Sequence, residues 1–171
     1  MKKLLSFLIA VLFVFSVHAE MKVLGTYYNS ASGRSYNIEE FGSIGINIGV
    51  KAKVSKQASL SVDNKDIASF KSALESVRNE YCNWCKLAKG KKTSKYNNKE
   101  FGVSFPIIGV MWLGSKWVYE RPKYINFRFR VLNNGKMIAT AEIEVSSNGR
   151  KDTLYFNFAS KKDFDNLISK L

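Results

Sequence analysis

The chain has 171 residues, carries 27 Lys and Arg against 14 Asp and Glu, and has a formal net charge of +13. Its one histidine, His18, lies in the apolar N-terminal stretch. The remaining chain therefore has no imidazole for Ser-His-Asp or Cys-His catalysis, or for a Cys/His zinc site. Its carboxylates show no recognisable acid–base spacing, so we expect a non-catalytic protein without cofactor or bound metal.

Residues 1–19 have the pattern of a secretory signal peptide. Two lysines precede an apolar run over residues 4–17, and "VHA" ends the segment as a small-residue cleavage site. The run is short for a transmembrane span, so we expect an exported protein, periplasmic or secreted, with no span in the mature chain. Cleavage after Ala19 would leave residues 20–171 as a single α+β domain and would lower the net charge from +13 to +11.

The first part of the predicted mature chain has the composition of β-strands. The segments "MKVLGTYY", "YNIEEF", "SIGINIGVKAKV" and "ASLSV" are separated by turn-forming residues. In the third segment Ile44, Ile46, Ile48 and Val50 alternate with small or polar residues. This alternation predicts a half-buried strand.

A long helix is predicted to follow, roughly over residues 64–87. Asp63 is the predicted N-cap, and Asp66 occupies the capping-box position. Apolar side chains then recur at helical spacing and predict one buried face. These are Ile67, Phe70, Ala73, Leu74, Val77 and Tyr81.

The segment "FPIIGVMWLGSKWVY" is densely apolar and contains two glycines. It is too short to span a bilayer, so we expect one or two central strands buried on both faces. At a sheet edge, the same segment would instead form a contact with a partner or a membrane.

The C-terminal third predicts a three-stranded antiparallel meander. A three-residue loop, Asn133–Gly135, would place Phe129 opposite Ala139, whereas a two-residue loop would turn the apolar faces of the two strands apart. The Asn148–Gly149 dipeptide is typical of a two-residue type I′ hairpin turn. With these two loops, the apolar residues of the three strands lie on the same face of the sheet.

A strand, a polar cap and an amphipathic helix occur twice, in "LSVDNKDIASFKSAL" and "FNFASKKDFDNLISKL". In the second copy Ser160 is the predicted N-cap, with Asp163 in the capping-box position. We therefore predict an α+β fold in which an antiparallel β-sheet packs against one long helix and a short C-terminal helix. Two halves, each a β-meander followed by a helix, would explain this repetition. This element order resembles the Whirly and PC4-like folds, and the resemblance implies single-stranded nucleic-acid binding as an alternative function.

Cys82 and Cys85 lie near the end of the predicted long helix, in the pattern Cys-Asn-Trp-Cys. A redox centre places such a pair at a helix N-terminus, where the dipole lowers the thiol pKa; this pair lies at the opposite end. A zinc site would need about two further ligands. Helical residues three apart come within disulfide range, so we predict a local disulfide, with two reduced thiols as the alternative.

A run of lysines follows the cysteines and forms the candidate site for an anionic partner. Residues 86–99 carry six lysines and no acid. Part of this charge complements the helix dipole, and the segment is either a solvated loop or an electrostatic contact. Two arginines on the outer face of the meander join the candidates, although Glu142 and Glu144 share that face. The full candidate set is Lys86, Lys89, Lys91, Lys92, Lys95, Lys99, Arg128 and Arg130.

These features favour an exported, non-catalytic binding module whose basic surface engages an anionic or protein partner in the bacterial envelope or outside the cell. Candidate partners are an anionic polymer, a membrane surface or an acidic protein. One alternative is a single-stranded nucleic-acid-binding protein of Whirly/PC4-like architecture. The other is a thiol-disulfide redox protein that acts through Cys82 and Cys85.

Overall fold

The computed structural model describes residues 21–29, 32–90, 95–107, 109–113, 117–120, 123–147 and 149–171. The predicted signal peptide, residues 1–19, lies outside these ranges. The described residues form two antiparallel sheets, one 3₁₀ turn and two α-helices. The predicted α+β class, with one long helix and a short C-terminal helix, is confirmed.

The strands are, in chain order, β1 (Met21–Asn29), β2 (Arg34–Phe41), β3 (Gly45–Gly49), β4 (Lys51–Ala52), β5 (Ala58–Asp63), β6 (Lys99–Ile107), β7 (Gly109–Leu113), β8 (Trp117–Glu120), β9 (Lys123–Val131), β10 (Met137–Ser147) and β11 (Arg150–Phe158). A 3₁₀ turn (Asn64–Asp66) leads into helix α1 (Ile67–Ala88), and helix α2 spans Lys161–Ile168.

The chain builds its two sheets in two similar steps. β1, β2, β3 and β5 are successive neighbours in the first sheet and precede α1, and β6, β9, β10 and β11 are neighbours in the second sheet and precede α2. Each step is thus a four-strand meander followed by a helix. The β7–β8 hairpin follows β6 in the chain but extends the first sheet beside β5. Likewise, β4 follows β3 in the chain but pairs with β11 in the second sheet. Each half therefore contributes a short element to the sheet of the other.

Apolar residues from both sheets and both helices enclose one continuous core. The Tyr81 ring of α1 lies 6.0 Å from the Phe129 ring and 5.7 Å from the Phe164 ring, between centroids. Phe164 of α2 in turn stacks on Phe158 of β11 at 4.1 Å. The Tyr81 hydroxyl donates a hydrogen bond of 3.0 Å to the carbonyl of Met137. This side chain therefore joins α1 to the second sheet and to α2, and burial of such a side chain contributes about 1.5–3 kcal/mol.

The C-terminal meander has the predicted register. Phe129 lies opposite Ala139, and the loop glycine between β9 and β10 has the positive φ, 78°, that a bulged three-residue loop requires. Ser147 pairs with Arg150, so the second hairpin has the predicted two-residue loop. Asn148 of that loop lies outside the described residues.

Helix α2 begins as its sequence predicts. The Ser160 hydroxyl accepts a hydrogen bond of 3.2 Å from the Asp163 N–H, so Ser160 is the N-cap. The Asp163 carboxylate accepts a hydrogen bond of 2.9 Å from the N–H of Ala159. Two backbone donors at this helix start are thereby satisfied.

Helix α1 begins differently, and the predicted capping box of Asp63 and Asp66 is wrong. Neither side chain makes a capping hydrogen bond. The Asn64 N–H instead donates to the carbonyl of Ile44 at 3.2 Å, and the Asn64 side chain donates to the carbonyl of Ser43 at 2.8 Å. Ile44 lies in the turn before β3 and not in the predicted strand. Through these two hydrogen bonds, the turn anchors the start of the helix.

The segment "FPIIGVMWLGSKWVY" begins in the last residues of β6, in the second sheet, and then forms β7 and β8 in the first sheet. β7 lies between β5 and β8, as predicted for a central strand, whereas β8 is an edge strand. The predicted burial of their side chains falls outside what the structure describes. In the described ranges, no helix has both the length and the apolar character that a bilayer crossing requires.

Candidate functional site

Four described lysines lie on either side of the connection between α1 and β6. Lys86 and Lys89 lie at the end of α1, and Lys95 and Lys99 lie where the chain enters β6. We call these four residues the helix-end lysines. All four are exposed, and none takes part in an ion pair with another described residue. The other two predicted lysines, at positions 91 and 92, lie outside the described residues.

Lys99 is held in place by aromatic rings. Its ammonium nitrogen lies 5.8 Å from the centroid of the Trp84 ring and 5.5 Å from that of Tyr96. Trp84 stacks on Phe101 at 4.6 Å, with the ring planes 12° apart, and meets the edge of Phe129 at 5.7 Å. These contacts fasten the start of β6 to α1, so that a lysine distant in sequence is fixed at the helix end.

Trp84 and Tyr96 were not among the predicted site residues. In the sequence, Trp84 is distinguished only by its position between Cys82 and Cys85. The available signal was the presence of three aromatic residues, at positions 84 and 101 on either side of the lysine run and at position 96 within it. Their contact with Lys99 depends on how β6 returns to the helix, which local sequence does not specify.

The position of the lysines has a local electrostatic cause as well. Lys86 lies in the last turn of α1, where unpaired carbonyl groups carry partial negative charge. A cation at this end stabilises a helix by about 0.3–1 kcal/mol at an exposed site. One or two lysines would satisfy this role, and the further lysines leave a positive field directed to solvent.

The two candidate arginines are paired with carboxylates, unlike the lysines. Arg128 forms an ion pair with Glu100, and Arg130 forms one with Glu142 at 2.6 Å. Glu142 lies on the outer face of the second sheet, where the sequence predicted it. Among the six candidates that the structure describes, the four lysines therefore have no described acidic partner, whereas the two arginines have their charge balanced.

Cys82 and Cys85 carry free thiols in the last two turns of α1. Burial, together with the neighbouring Cys82, raises the pKa of the Cys85 thiol, although a hydrogen bond with Tyr81 acts in the opposite direction. A raised pKa leaves little thiolate at neutral pH, and thiolate is the form that attacks disulfides and binds metals. The arrangement favours a structural pair over a nucleophilic one.

No group of three or more His, Cys, Asp or Glu side chains is placed to hold a metal ion within the described ranges. Comparison of the chain with protein-family models, with curated proteins and with solved structures gave no match.

Proposed function

We propose that this protein is an exported, non-catalytic binding module whose helix-end lysines engage an anionic polymer in the bacterial envelope or outside the cell. The observation that carries the proposal is the grouping of four exposed lysines at the connection between α1 and β6, none of them in an ion pair with a described acid, in a molecule whose outer-face arginines are paired. Cations that no carboxylate neutralises can replace the counterions of a polyanion.

The aromatic support of Lys99 strengthens this proposal. A lysine side chain loses rotamer entropy when it is immobilised against a ligand, which costs about 0.5–1.5 kcal/mol at an interface. The contacts of Lys99 with Trp84 and Tyr96 already restrict that side chain. The backbone of Lys86 lies in the last turn of α1, and Lys89 is the C-cap of that helix. Part of the ordering cost is thus met before the polymer binds.

The test compares two variants that remove the same charge from different surfaces. The first replaces all four helix-end lysines by Gln. The control replaces four exposed lysines elsewhere, at positions 22, 56, 151 and 162, by Gln. Binding to heparin is measured by calorimetry at about 0.1 M salt. We expect the first variant to lose about tenfold or more in affinity, and the control to lose at most about threefold, because contact charges act over less than a Debye length of about 10 Å.

Two results would overturn the proposal. Equal losses in both variants would show that net charge alone attracts the polymer. Absence of heparin binding by the wild-type protein at low salt would show that the surface does not bind this class of ligand.

Single-stranded nucleic acid is a second candidate because the four-strand-meander-plus-helix order occurs twice. Single-strand binders usually offer aromatic faces on which bases stack. Trp84 is an aromatic residue beside the helix-end lysines, but its ring already stacks on Phe101 and lies beneath Lys99. Tighter binding to oligo(dT) than to heparin of similar charge would favour the nucleic-acid function, and weaker or equal binding would favour a general polyanion.

The redox alternative rests on Cys82 and Cys85. The raised pKa of Cys85 and the position of the pair at a helix C-terminus both work against a reactive thiolate. Reduction of a test disulfide such as insulin, at a rate lost in Cys85→Ser, would be needed to support it.

A further inference from the structure

A polar groove of about 520 Å³ lies on the outer face of the second sheet. We call it the outer groove. It is lined mainly by amide and charged side chains, and Thr140 also lines it. The amide and charged residues are Asn97, Asn98, Asn126, Arg128, Arg130 and Glu142.

The charges in the outer groove are balanced. Arg130 pairs with Glu142 at 2.6 Å, and Arg128 pairs with Glu100 beside the groove. An anion entering the groove would have to displace a carboxylate from an arginine, and a cation would have to displace an arginine from a carboxylate. The groove therefore suits an uncharged ligand that can both accept and donate hydrogen bonds.

Two amide side chains that border the groove are already positioned. The Asn97 side-chain oxygen accepts a hydrogen bond of 3.1 Å from the N–H of Val131. The Asn98 oxygen accepts one of 3.5 Å from Arg128, and Asn98 has a positive φ of 62°. Because their oxygens are engaged within the protein, their NH₂ groups remain directed to other acceptors. A ligand bound here would not have to order these side chains.

The Asn126 amide differs from these two. It is exposed on β9, and it makes no side-chain hydrogen bond within the described part of the structure. It thus offers two donors and one acceptor to a ligand. Tyr124 lies two residues earlier on the same face and is 68% exposed. Its ring therefore offers an exposed apolar surface next to Asn126 along the strand, outside the residues that line the groove itself.

We propose that the outer groove binds an uncharged saccharide. A sugar ring presents hydroxyl groups that donate and accept around its edge, and apolar C–H faces that pack on an aromatic ring. The groove supplies paired charges and amides for the hydroxyl groups, and Tyr124 supplies the ring. This site uses residues other than the helix-end lysines and needs no net charge, so it is independent of the proposed polyanion surface.

The test is a titration of the protein, followed by NMR, with neutral oligosaccharides of two to four units of glucose, galactose, mannose or N-acetylglucosamine. We expect binding of at least one probe with a dissociation constant of about 1 mM or lower, unchanged by high salt. Asn126→Ala and Tyr124→Ala should each weaken it about tenfold. The matched control is Asn37→Ala, an exposed amide on the first sheet, which should leave it unchanged.

Three results would overturn this proposal. The first is a lack of spectral change with any of the probes. The second is equal affinity in the groove variants and the wild type. The third is binding that weakens with salt and in the four-lysine variant, because that would place the saccharide on the helix-end lysines and leave the polyanion proposal standing.

Discussion

Lys99 lies over the ring of Trp84, with its ammonium nitrogen 5.8 Å from the ring centroid, and so joins the start of β6 to the last turns of α1. A cation over an exposed indole contributes about 0.5–1 kcal/mol. The contact has two consequences, since it stabilises the return of the chain to the helix and also places a charge on the proposed binding surface.

The variants Lys99→Met and Lys95→Met distinguish the stabilising role of Lys99 from its charge on the proposed binding surface. Both remove one charge from the helix-end lysines, so each should weaken heparin binding about two- to fourfold. Of these two lysines, Lys99 alone lies over aromatic rings of the described residues. Lys99→Met should therefore also lower the free energy of unfolding by about 0.5–1 kcal/mol, measured by urea denaturation. A stability loss of the same size in Lys95→Met would contradict a specific role for the rings.

Asp152 should make the stability of the fold depend on pH in the acid range. Its buried carboxylate accepts backbone hydrogen bonds from Lys53, Val54 and Ser55 at 3.1, 3.0 and 2.8 Å. Burial alone would raise the pKa of Asp152, but hydrogen bonds from Ser55, Val54 and Thr153 outweigh it and hold the pKa below its usual range. The folded state therefore favours the charged form more than the unfolded chain does.

This stabilisation is fully present above the unfolded-chain pKa of about 3.9 and is lost as the pH falls towards the folded pKa. Asp152→Asn should lower the free energy of unfolding by about 1.5–3 kcal/mol at neutral pH and flatten the loss of stability below about pH 4. The control Asp66→Asn changes a carboxylate that makes no capping hydrogen bond and should lower the free energy of unfolding at neutral pH by less than about 1 kcal/mol. An Asp152→Asn profile parallel to that of the wild type would refute the assignment.

The two helix starts should respond differently to alanine. Ser160→Ala removes the hydrogen bond from the Asp163 N–H and should cost about 1 kcal/mol of stability. Asp63→Ala removes no capping bond, only a contact of 4.0 Å with Lys65 at the surface, and should cost less than about 0.5 kcal/mol. Urea denaturation of both variants checks this contrast. Equal losses would mean that Asp63 does cap the helix.

Cys82 and Cys85 should form a local disulfide when the protein is exposed to an oxidant. Helical geometry brings residues three apart to about 5–6 Å between Cα atoms, within disulfide range. Mass spectrometry after alkylation should find two adducts on the reduced protein and none after oxidation. Two adducts in both samples would show that the pair stays reduced. The stability gain from oxidation should be small, since the closed loop is very short.

The C-terminal meander was predictable because three independent signals agree there. Apolar alternation, a loop containing glycine and an Asn-Gly dipeptide specify one register, and any slip would turn Phe129 away from Ala139. Helix α1 was predictable over most of its length from its apolar spacing. Its beginning was not predictable. The N–H of Asn64 donates to the carbonyl of Ile44, twenty positions before Asn64, and this carbonyl takes the place of a side-chain cap.

The division into two sheets could not be predicted from local patterns. β4 has two residues and pairs with a strand about one hundred positions later, through Ala52 and Leu154. The sequence carries no periodic signal for such a short element. The same limit applies to the candidate site, where the charge of Arg130 is balanced by Glu142 on a neighbouring strand while Lys99 contacts the Trp84 ring instead.

The most direct test of the proposed function is the salt dependence of affinity for oligo(dT), a single-stranded polyanion. Each neutralised phosphate contributes about 0.7 to the slope of log affinity against log salt. Replacing the four helix-end lysines by Gln should reduce the magnitude of that slope by roughly 3, and the control variant at positions 22, 56, 151 and 162 should change it by less than about 1. An unchanged slope in the helix-end variant, or an equal change in both variants, would contradict the account.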